Sequence, residues 1–151
     1  MNDLLNPQQR SSLRGALQSF EKSLRDAQAW LDGAEENGIL YNARVRMPEE
    51  RRREVAREIA EALDHIGELS RSLQLEKKEE NPLRLIGSEL VINWANLLDS
   101  RSAKLSRYGN VAPDLEERLD PAMLDLAETA LRLSSIFEDL VTGESDKNVE
   151  D

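Results

Sequence analysis

Cysteine is absent from this chain, and disulfide bridges, thiolate metal sites and cysteine nucleophiles go with it; the absence fits a reducing compartment. Aromatic residues make up only 4%, which leaves Leu, Ile, Val and Ala to build a core. Five prolines and seven glycines among 151 residues are too few for a low-complexity chain. No stretch approaches the roughly 18 consecutive apolar residues that a membrane-crossing helix needs. The opening residues, Met1 to Pro7, hold neither a basic segment nor an apolar run, so no signal peptide is expected and the location is expected to be cytoplasmic. Positive charge is also in deficit. Thirty acidic side chains face twenty basic ones, for a net charge of −10. A field of that sign repels nucleic acid and anionic lipid, so neither a nucleic acid nor a membrane is expected as a partner.

What the chain does hold is helical. Charged residues reach 33% and leucine, glutamate and arginine dominate, a composition of long helices rather than sheets. Proline is tolerated in the first turn of a helix, where its missing N–H has no intrahelical partner. Pro7, Pro48, Pro82 and Pro121 each precede a segment with helical apolar spacing. Asn6, Asn81 and Asp120 stand immediately before three of them, as N-cap residues should, and Gln9 lies three residues after Asn6, as in a capping box. Pro113 precedes a short helical turn over 114–119. Gly38, Gly109 and Gly143 are expected at helix stops.

The apolar periods run along one side of each segment. They read Leu13, Leu17, Phe20, Leu24, Ala27, Leu31 and Ala34 in the first, and Val55, Ile59, Ala62, Ile66, Leu69 and Leu73 in the second. Leu83, Ile86, Leu90, Trp94 and Leu97 mark the third, and Met123, Ala127, Ala130, Ser134, Phe137 and Val141 the fourth. Stripes of this kind can be buried only against other helices. The expected fold is all-α: a four-helix bundle of long antiparallel helices, with an extended strap between helices 1 and 2 and a short extra helix between helices 3 and 4. One bundle domain is expected over 7–142, with an N-terminal arm at 1–6 and a disordered acidic tail at 143–151.

Two segments exceed what a bare bundle needs. From Ile39 to Met47 the odd positions Ile39, Tyr41, Ala43, Val45 and Met47 are apolar, and the even positions after Leu40 are polar or basic. That period of two predicts an extended strap with one covered face. It is expected to lie along its own helices, against Trp30, or to offer its edge to another chain. On helix 3 the apolar residues exceed one stripe, since Ile92 points well away from Leu90, Trp94 and Leu97. A second subunit, in a homodimer, would supply the missing cover. Ile39, Tyr41, Val45, Met47 and Ile92 are therefore the expected partner-binding residues.

No catalytic, cofactor-binding or metal-binding residues are assigned, and no cofactor is expected. A di-iron carboxylate bundle needs Glu-x-x-His on each of two helices, whereas His65 is the single histidine and Ala62 stands three residues before it. Glu58-Ile59-Ala60-Glu61 resembles the first half of the carboxylate pattern of the all-α nucleoside triphosphate pyrophosphatases. The second half, Glu-x-x-Asp, fails after Glu89, where Ile92 takes the aspartate position. A Mg-dependent enzyme of that kind is the alternative to a non-enzymatic interaction module. Arg44, Arg46, Arg51, Arg52 and Arg53, at the start of helix 2, form the one basic cluster where an anion could settle, diluted by Glu49, Glu50 and Glu54.

Overall fold

The computed structural model describes the backbone of residues 4–147 and the side chains of residues 4–143. The fold is all-α, with long helices α1 (Pro7–Leu31), α2 (Glu49–Ser72), α3 (Pro82–Leu98) and α5 (Leu115–Lys147). Between α1 and α2 lie two short strands, β1 (Glu35–Asn37) and β2 (Asn42–Arg44), and between α3 and α5 lies the short helix α4 (Ser102–Leu105), followed by a 3-10 turn at Ser106–Tyr108. Contacts divide the chain into two compact units, Met1–Lys78 and Glu79–Asp151.

In the first unit α1 packs on α2. The start of α1 is set as expected: the Asn6 side chain accepts from the Gln9 N–H at 2.8 Å, and the Gln9 side chain accepts from the Asn6 N–H at 2.9 Å, a reciprocal capping box behind Pro7. Its end differs. The helix stops at Leu31 because Gly33 takes φ +101°, and the Ala34 and Gly33 amides then turn back to the carbonyls of Ala29 and Trp30. That is the left-handed glycine cap expected of Gly38, placed five residues earlier. Helix α2 closes in the same way with a residue less suited to it: Gln74 sits at φ +52°, and Leu75 and Gln74 donate to Ser70 and Arg71. Arg10 completes this end from α1, its guanidinium donating to the Leu73 and Gln74 carbonyls at 2.6 and 2.9 Å. A cation there also opposes the negative pole of α2.

In the second unit α3 lies against α5. The buried face of α5 carries Ala127, Ala130, Ser134 and Val141, as the apolar period predicts. These small side chains let the two backbones approach, and Gly87 of α3 is buried opposite them. The Ser134 hydroxyl donates to the Gly87 carbonyl at 2.9 Å, so this buried hydroxyl is satisfied.

The connection from α3 to α5 departs from expectation. Helix α3 ends at Leu98, and the short extra helix is 102–105 rather than 114–119. Arg101 closes the end of α3, its Nε donating to the Leu98 carbonyl at 2.9 Å. Gly109, at φ +149°, follows the 3-10 turn rather than α3 itself. Pro121 does not open a helix: α5 starts at Leu115 and Pro121 lies inside it. Asp120, freed from a capping role there, accepts from the Ser102 N–H and hydroxyl at 2.8 and 2.9 Å, pinning the first turn of α4 to α5. Helix α5 also runs through Gly143 to Lys147, so that glycine is not a stop. The expected acidic tail is helical to that point, and residues 148–151 lie outside the described residues, as do residues 1–3 of the expected arm.

Candidate interaction surface

The strap exists as one arm of a hairpin. Strands β1 and β2 pair antiparallel, Glu35 with Arg44, Glu36 with Ala43 and Asn37 with Asn42, and the Gly38 amide donates to the Tyr41 carbonyl at 2.8 Å across the loop. The inner edge of the strap is therefore taken by its own chain. A second lock comes from Tyr41, whose hydroxyl donates to a Glu36 carboxylate oxygen at 2.8 Å. This bond to an acceptor, with the negative charge beside it, raises the tyrosine pKa above its usual value of 10.0. The Tyr41 ring lies over Gly38 so closely that a Cβ there would come within 2.7 Å of it; glycine is what permits the contact.

A loop held this firmly sends two aliphatic side chains into water. Ile39 is 101% exposed and Leu40 is 94% exposed, which corrects the expectation of a strap lying along its own helices. The physical reason is the hairpin itself: pairing with β1 carries the loop outward instead of across α1. Of the other expected contact residues, Tyr41 and Val45 are exposed and Met47 is half-buried. Leu40 was not among them. Its signal was a second large aliphatic beside Ile39 in a loop otherwise read only for alternation.

Ile92 lies in the second unit and is 61% exposed, equal to Leu85 one heptad before it. Both fall on the side of α3 away from Gly87, which α5 covers. Helix α5 carries a further exposed row, Leu126, Leu133 and Leu140 with Ile136, at heptad spacing beside its α3-facing stripe. Where α3 and α5 meet, Gly87 and Ser134 leave an open cleft of about 290 Å³, walled by Leu83, Val91 and Val141 with Arg84 and Glu138 at its sides.

The basic cluster is largely engaged with its own helix. Arg51 meets Glu54 at 3.0 Å, and Arg52 and Arg53 approach Glu49 at 3.8 and 3.4 Å, all as exposed pairs of modest worth. Arg44 and Arg46 are exposed on and after β2. Glu58, Glu61 and His65 are exposed on α2 and Glu89 is exposed on α3. Among the described residues, no three His, Asp or Glu side chains come together as a metal site, and no helix is long and apolar enough to cross a membrane. Comparison with protein-family models, curated proteins and solved structures finds no match.

Proposed function

We propose that the chain is a cytoplasmic, non-enzymatic helical module for protein–protein interaction, and that its first partner is a second copy of itself. The observation that carries this is the hairpin tip. Burying Ile39 and Leu40 would contribute about 1.5–3 kcal/mol each, yet both stand in water on a loop braced by Tyr41, Glu36 and Gly38. Folding alone gives no reason to brace a loop in that position; recognition of another surface does. Leu85 and Ile92 on α3, and the Leu126–Leu133–Leu140 row on α5, add exposed aliphatics at helical spacing, the usual material of helix-to-helix docking.

Light scattering on a size-exclusion column, across a concentration series from about 1 to 100 μM, tests self-association. A mass rising above 17.1 kDa with concentration supports it, and Ile39→Asp should lower the rise while leaving helicity intact. A mass fixed at that of one chain throughout the series would refute self-association.

A further inference from the structure

We propose that the hairpin tip of one copy docks in the α3–α5 cleft of a second copy, with Ile39 and Leu40 as the inserted side chains. The inference rests on the self-association argued above and names the two surfaces that meet. Size is the first argument. Removing one buried leucine side chain from a protein core opens a cavity of about 150 Å³, so a cleft of about 290 Å³ has room for two such side chains. Its depth comes from the lack of a side chain at Gly87 and the small one at Ser134, and its walls combine the aliphatic Leu83, Val91 and Val141 with the polar Arg84, Ser88, Glu138 and Thr142.

Charge is the second argument. The tip is flanked by acids on one strand, Glu35 and Glu36, and by the bases Arg44 and Arg46 on and after the other. The cleft likewise has opposite charges on its two helices, Arg84 on α3 and Glu138 on α5. A hairpin seated with β1 towards α3 and β2 towards α5 sets each charge beside its opposite; the reverse seating sets like beside like. Complementarity of this kind selects one orientation and rejects the other. The tip is also already held in one shape by the Tyr41–Glu36 bond, so little ordering remains to be done on docking. A tip and a cleft are different surfaces: exchanged reciprocally they make an isologous interface that closes a two-fold pair, and joined in one direction only they make a heterologous contact that extends into rings or chains of copies.

The native chain has no cysteine, which makes single-cysteine variants clean probes. Leu40→Cys on one copy and Val91→Cys on a second copy of different mass are mixed at about 20 μM under mild oxidation and resolved on a non-reducing gel. The expected product is the mixed disulfide, in clear excess over either self-linked dimer, because the bond requires Cα atoms within about 7 Å. In parallel, Leu40→Asp and Val91→Asp should each weaken association roughly 30-fold, as loss of a buried anchor does. A one-to-one mixture of the two should associate more tightly than either alone, since one intact tip still meets one intact cleft. A parent that associates normally while Leu40→Asp and the mixed disulfide show no effect overturns the tip-in-cleft contact and leaves self-association standing. A parent that never exceeds the mass of one chain overturns both.

Discussion

Replacing Arg10 with alanine removes the guanidinium that closes the far end of α2. The hydrogen bonds to the Leu73 carbonyl at 2.6 Å and to the Gln74 carbonyl at 2.9 Å vanish. The first is partly buried and the second exposed, so the first dominates. A hydrogen bond from a charged group contributes about 1.5–3 kcal/mol when sheltered, and a cation at a helix C-terminus about 0.3–1 kcal/mol. Discounting the exposed bond for solvent leaves a loss of about 2 kcal/mol. In a unit of this size each kcal/mol shifts the midpoint by about 4–8 °C, so the melting of the α1–α2 hairpin should fall by roughly 10 °C. Arg10→Lys keeps the charge but not the fork that reaches two carbonyls, and should fall about half as far. Circular dichroism melts of the parent and both variants measure this. A midpoint within about 2 °C of the parent in Arg10→Ala would show that Arg10 does not hold the end of α2.

Gln74→Gly should stabilise the same hairpin by about 1 kcal/mol, because Gln74 sits at φ +52° and glycine relieves the left-handed strain; urea titration reads the gain. Asp120→Ala, which leaves the Ser102 N–H and hydroxyl without their acceptor, should cost about 1–2 kcal/mol in the unfolding of the second unit. Tyr41 offers a pH test. Its pKa is raised in the folded chain, so the stabilisation from its bond to Glu36 is present below the ordinary tyrosine pKa of 10.0 and is lost as pH climbs through the raised value. Glu36→Gln should therefore move part of the tyrosinate absorbance titration to lower pH, and an unmoved titration would refute the bond.

The start of α1 was legible residue by residue. Asn6, Pro7 and Gln9 spell a capping box, and the box is present with both hydrogen bonds made. Asn81 before Pro82 was equally plain, its side chain accepting from the Leu83 N–H at 3.0 Å. The buried stripe of α5 followed from its spacing of three and four. Helix ends were harder. Asn37-Gly38 looks like a stop, yet the left-handed glycine that ends α1 is Gly33, five residues earlier. Pro121 misled because Asp120 before it is a good cap; the structure instead uses that carboxylate to hold Ser102, a partner eighteen residues away that no local pattern announces. The alternation over 39–47 matches a strand only at Asn42–Arg44; Ile39 and Leu40 form the bend of the hairpin loop. It could not show that Glu35–Asn37, with no apolar period of its own, would be the strand beside it. Nor did it reveal that the loop between them would turn outward. The exposure of Ile92 was legible, because its position breaks the apolar stripe of α3. The α3–α5 cleft was not, because Gly87 and Ser134 matter there through how little space they fill.

Sedimentation equilibrium of the unmodified chain is the most direct check on whether these exposed aliphatics serve to join copies. Association through them predicts an apparent mass that climbs from 17.1 kDa at low concentration to about twice that or more at tens of micromolar, and an Ile39→Asp chain that stays near the lower value. A parent chain that sediments at 17.1 kDa at every concentration would contradict it.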